Sequence, residues 1–71
     1  MSKHKFLMVT DASTDTRVAI PIKQIIQIRE HEHNGDYLAW IQYYYTDKKS
    51  TTISTKEFFY DIMTGCHTFK L

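Results

Sequence analysis

Asn34-Gly35 sits between two runs rich in β-branched and aromatic residues, Ile25–His33 and Tyr37–Thr46. A two-residue β-hairpin loop of type I′ needs positive φ at both central positions, and Asn-Gly is the pair that reaches it with least strain. The dipeptide therefore predicts a hairpin in which His33 faces Asp36, and that turn sets the register back along both strands. One face then pairs Glu30 with Ala39, Ile28 with Ile41 and Ile26 with Tyr43. The other pairs His31 with Leu38, Arg29 with Trp40 and Gln27 with Gln42. The first is a core face; the second is mixed, aromatic and polar.

The rest of the chain is organised around this hairpin. Lys5–Thr10 reads as a first strand, apolar on both faces, and Asp11–Asp15 supplies turn formers whose side chains bond nearby backbone. Thr16–Ile20 is a second strand, antiparallel to the first. Pro21 lacks the N–H that a ladder needs, so Pro21–Gln24 becomes a tight turn into Ile25. Tyr37–Thr46 is the long central strand, leading through Asp47-Lys48-Lys49 into Ser50–Ile53. A two-residue loop there sends Ile53 to the Trp40 face, and a three-residue loop sends it to the core face; both registers stay open. Ser54 and Glu57 have the spacing of a capping box, which predicts a helix start, and Gly65 is the natural C′ stop. Within that helix Phe58, Phe59, Ile62 and Met63 form an apolar stripe, with Lys56, Glu57, Tyr60 and Asp61 on the wet side. Cys66–Leu71 either adds a short edge strand or lies over the sheet. The expected architecture is a single α+β domain spanning 1–71. It is a strongly twisted, half-barrel-like antiparallel sheet of about five strands with one C-terminal helix packed on one face.

Length sharpens the functional question. A chain of 71 residues buries little apolar surface, and domains this small usually lean on disulfides, a metal or a partner subunit. Cys66 is the only cysteine, which excludes an internal disulfide. The hydrophobic fraction of 42% argues for a folded chain, while no apolar run approaches the ~20 residues of a membrane span. The N-terminus carries no secretory pattern, so the expected compartment is the cytoplasm. A formal net charge of +1 gives no general pull toward nucleic acid.

Catalytic and metal chemistry find little support in the residues. His31 and His33 share a strand face, and with Asp36 across the turn they have the residue types of a transition-metal chelate. A structural zinc site takes four ligands, so a polar hairpin tip is the favoured reading and no metal or cofactor is expected. Cys66, His67 and Asp61 supply the types for nucleophilic catalysis, but adjacent Cys-His does not stack into the required geometry. Glu30 and Glu32 share a face where the core runs out into solvent, and no Gly-rich loop exists to hold phosphate. The chain is not expected to be an enzyme.

The Trp40 face is the candidate binding surface. It carries Leu38, Trp40 and Tyr44, flanked by Arg29, Gln27, Gln42 and His31, and Trp, Tyr and Arg dominate binding hot spots. Arg29 opposite Trp40 is placed for a cation–π contact. The competing structural reading has the first two strands curling over this face. Aromatics on a sheet with Lys3, Lys5, Arg29, Lys48 and Lys49 around them also match single-strand nucleic-acid stacking, a lesser alternative because acids nearly balance bases.

Two pattern-level likenesses complete the sequence reading. The Val18–Ile28 segment leading into a hairpin, and Ile53-Ser54-Thr55-Lys56-Glu57-Phe58-Phe59 as a strand ending in a capped helix, resemble the layout of small flagellar proteins of the FlbD kind. That resemblance implies a small strand-rich fold with a C-terminal helix; the aromatic pairs and His-rich hairpin depart from it. In size and charge balance the chain is also similar to small phage proteins that inhibit host factors. The resulting expectation is a non-enzymatic binding protein, a homo-oligomer or a modulator of another protein, with Trp40, Arg29, Tyr44, Leu38, His31 and Gln42 as its contact residues. An oligomeric protein that sequesters a small ligand or nucleotide is a further alternative.

Overall fold

Thr16–Pro21 and Ile25–His33 are the two edges of one antiparallel sheet that curls over its own concave side. A computed structural model describes residues 4–70. The order along the chain is β1 (Lys5–Asp11), β2 (Thr16–Pro21), a 3-10 turn (Ile22–Gln24), β3 (Ile25–His33), β4 (Asp36–Tyr44), β5 (Ser50–Phe58), α1 (Phe59–Met63) and β6 (Thr68–Lys70). In space the strands run β2-β1-β5-β4-β3, and β6 pairs with β1. Among the described residues the sheet has six strands, where about five are expected, because Thr68–Lys70 adds an edge ladder to Lys5–Leu7. Phe6 stacks on Phe69 at 5.6 Å across that ladder.

The central hairpin forms as its turn residues dictate. Asn34 and Gly35 both adopt positive φ, 53° and 87°, and His33 pairs with Asp36. The register runs as expected from there to Gln27↔Gln42. It then breaks: Ile26 is extruded as a β-bulge, and Ile25, not Ile26, takes the place opposite Tyr43. The β4–β5 connection spans 45–49 and closes on Lys49, whose carbonyl accepts the N–H groups of Tyr45 and Thr46. Ile53 consequently lies opposite Ile41, on the core face.

The helix start corrects the sequence reading. Ser54 and Glu57 do not cap a helix; both belong to β5, which continues to Phe58. Among the described residues the only α-helix is the five residues of α1, and no side chain caps its N-terminus. Tertiary pairing overrides the capping pattern here. Between Trp40↔Ser54 and Leu38↔Phe58, the single residue Ala39 faces three residues of β5, so the strand bends toward β1. Thr55, buried at this bend, donates its hydroxyl to the Ala39 carbonyl at 3.0 Å. The Glu57 carboxylate accepts the Thr10 N–H at 2.7 Å and the Thr10 hydroxyl at 2.9 Å. The helix end matches expectation. Gly65 takes φ 88°, its N–H reaches the Ile62 carbonyl at 3.2 Å, and the Cys66 N–H reaches Asp61 at 3.0 Å, which is a Schellman motif.

One core results. Leu7 and Val9 of β1, Ile20 of β2, Ala39 and Ile41 of β4 and Ile62 of α1 form a single buried cluster on the concave side. Val18, Ile25, Ile28, Tyr43, Ile53 and Phe59 pack around it. The expected stripe on the helix is therefore halved: Ile62 and Phe59 face inward, whereas Phe58 and Met63 are exposed. β1 and β2 cover the Ile41 face together with α1, which leaves the opposite face of β4 outside.

Candidate functional site

Side chains alternate across a pleated strand, so the burial of Ala39 and Ile41 turns Leu38, Trp40, Gln42 and Tyr44 outward. The first two strands do not fold over them. Trp40 is 38% exposed and Tyr44 45%, while Leu38, Gln42 and His31 are half-buried and Arg29 is exposed. All six sequence-predicted contact residues come together on this convex face of β3 and β4.

Their mutual contacts differ from expectation in one respect. The ring that stacks on Trp40 is His31, at 4.6 Å between centroids and 25° between planes. Arg29 is the direct cross-strand partner of Trp40, and His31, opposite Leu38, reaches the indole along the diagonal. Among the described residues the one ion pair is Lys56–Asp15, so the Arg29 guanidinium has no carboxylate partner. It lines a shallow depression of about 200 Å³ with Gln27, Trp40, Gln42 and Thr52. Across that floor Gln27 donates its amide to Gln42 at 2.8 Å, and Gln42 donates to the Ser50 hydroxyl at 3.4 Å. A polar chain thus fixes the Gln42 amide between three strands. On the other side of the stack His31, His33, Leu38, Ser13 and Ser54 border a second depression of about 300 Å³. The Trp40–His31 pair forms a ridge between the two.

Ser13 belongs to the β1–β2 turn, and its backbone N–H and hydroxyl both bond the Asp11 carboxylate, at 2.9 and 2.8 Å. The Ser13 hydroxyl first, then the Ser13 N–H, holds the Asp11 carboxyl below its ordinary range. That Asx-type turn positions the rim of the second depression.

The other sequence candidates are not assembled into sites. His31 and His33 lie 6.3 Å apart between ring centroids, the Asn34 amide sits 3.3 Å from the His33 ring, and the described residues contain no cluster of three or more metal-ligating side chains. Cys66 is exposed and its Sγ contacts the Thr64 hydroxyl, not His67. Lys5 lines a groove with Phe6 and Pro21 instead of flanking Trp40, which removes it from the basic surround expected for nucleic acid. Lys3, another member of that set, lies outside the described residues, as does Leu71 at the end of the tail. Among the described residues no helix is long and apolar enough to cross a membrane.

Sequence reasoning missed a second aromatic surface at the hairpin end. Tyr37, Phe58 and Tyr60 are exposed there, Tyr60 to 74%. The apolar spacing places Phe58 in a helical stripe, whereas it ends β5 and is exposed. The signal that points the right way is the β-branched set Thr51, Thr52, Ile53 and Thr55, which favours a strand through the supposed helix cap. No protein-family model, curated protein or solved structure matches the chain.

Proposed function

We propose that this chain is a non-enzymatic protein-binding module whose convex sheet face docks on the surface of a protein partner, a second copy or a different chain, and modulates what it covers. The observation that carries this reading is the Trp40–His31 stack, a part-exposed aromatic ridge on a face that no other element covers. An indole braced by a neighbouring ring loses little conformational entropy on binding, and large rigid aromatic groups are the usual anchors of protein interfaces. Arg29, which pairs with no carboxylate among the described residues, supplies a charge beside it, and the bonded Gln27–Gln42–Ser50 chain presents oriented polar groups at its rim. The flanking depressions are small, about 200 and 300 Å³, which suits side chains of a partner better than a whole small molecule.

A photo-crosslinking amino acid placed at Gln42 tests this in cells that make the protein naturally, with Lys56 as the control position. A discrete crosslinked species from position 42, absent from position 56 and abolished by Trp40→Ala in a chain that keeps its circular dichroism, is the expected result. Equal labelling from both positions, or labelling indifferent to Trp40→Ala, would sink the reading.

A further inference from the structure

The near-zero net charge conceals two ends of opposite sign. The Ile22–Gln24 turn feeds one end of β3 and the Asn34-Gly35 turn leaves the other, so the nine residues of β3 separate them. At about 3.3 Å per residue that is roughly 26 Å, on a molecule measuring 42 × 26 × 20 Å. At the first end a groove of about 530 Å³ has an apolar floor of Phe6, Pro21 and Ile22 beneath His4, Lys5 and Lys23, with no acid among the described residues that line it. Lys70 adds to that charge, because it pairs directly with Lys5 across the β1–β6 ladder. Like charges placed opposite each other in a sheet destabilise it, and among the described residues no carboxylate pairs with either. At the second end a depression of about 410 Å³ is bordered by Glu30, Asp36 and Asp61 among Tyr37, Phe58 and Tyr60, with no base among the described residues that line it.

Each end is thus an apolar surface ringed by charge of one sign, and the signs are opposite. We propose that copies of this chain associate head to tail, the acidic aromatic end of one molecule docking in the basic groove of the next. The aromatic rings of Phe58 and Tyr60 meet the Phe6–Pro21–Ile22 floor, while Glu30 and Asp36 meet Lys5 and Lys23. A contact between unlike patches is heterologous, so it propagates from molecule to molecule unless the geometry closes a ring. Both patches are small, which makes the contact weak and governed by charge. This association uses neither Trp40 nor Arg29, so it stands apart from the binding role of the convex face.

Light scattering coupled to size exclusion, run at about 0.01 M salt and again at about 1 M, reads the assembly across a change in Debye length from about 30 Å to about 3 Å. The unaltered chain is expected to exceed monomer mass at low salt, increasingly with concentration, and to return to monomer at high salt. Lys5→Glu/Lys23→Glu and Glu30→Lys/Asp36→Lys, all at exposed positions, should each lower the association constant about tenfold or more. Mixing the two variants should restore assembly, because each keeps the patch that the other has reversed. Trp40→Ala should assemble like the unaltered chain. A strict monomer at low salt overturns the proposal, as does assembly that survives either pair of reversals. Loss of assembly in Trp40→Ala overturns it as well, and would assign self-association to the convex face instead.

Discussion

The Glu57 carboxylate accepts two hydrogen bonds from Thr10, and so ties the bend of β5 to the end of β1. This is the point where the two halves of the sheet meet, since Asp11↔Thr55 is the one backbone pair between β1 and β5. Ser54, three residues earlier, is exposed and contributes its backbone carbonyl to the Ala12 N–H at 2.8 Å, with no side-chain role. The two residues that look like one capping box in the sequence therefore separate in their energetic effect. Glu57→Ala should cost about 1–3 kcal/mol, the range for a hydrogen-bonded charged acceptor whose donors are left part-buried. Ser54→Ala should stay within about 0.5 kcal/mol, as for an exposed side chain without partners. Urea denaturation of both variants checks this; comparable losses at the two positions would restore the helix-cap reading.

At the scale of elements, legibility followed the range of the physics involved. The Asn34-Gly35 turn is local: two positive-φ positions select one loop, and the pairing from His33↔Asp36 to Gln27↔Gln42 follows from it. Gly65 is equally local, because a left-handed residue closes the Schellman bonds of α1. The bulge at Ile26 and the long continuation of β5 are decided elsewhere, by where β1 crosses and what the core can hold. A periodic stripe such as Phe58, Phe59, Ile62 and Met63 carries no mark of how many of its members the fold will use. α1 is short enough to inject a single buried side chain, Ile62 at 5% exposure, while Met63 next to it is 58% exposed. Ile62→Ala should therefore lower stability by about 2–4 kcal/mol through the cavity it opens. Met63→Ala should change it by less than about 0.5 kcal/mol. The same melts or denaturation curves read both, and a large loss at Met63 would mean that the stripe is buried as a unit.

For the whole molecule, one cluster of six buried apolar side chains has to order the chain, and two of its aromatic surfaces remain in water. The candidate face was legible because Trp40 and its neighbours follow from turn, register and alternation. The charged ends were not, because Lys5, Lys23 and Lys70 lie far apart in sequence and only the β1–β6 ladder and the turn before β3 collect them. A native state that gains contacts by self-association is stabilised by mass action, by about 2.7 kcal/mol when free chain reaches 100 times the dissociation constant. In a domain of this size each kcal/mol moves the melting midpoint by about 4–8 °C. The midpoint should therefore climb by several degrees as the protein is concentrated at low salt. Charge screening at high salt should flatten that dependence, since the end-to-end contact is the part that salt removes. A midpoint independent of concentration under both conditions would show that the six-residue core suffices alone, and that the exposed aromatic surfaces contribute nothing to the stability of the free chain.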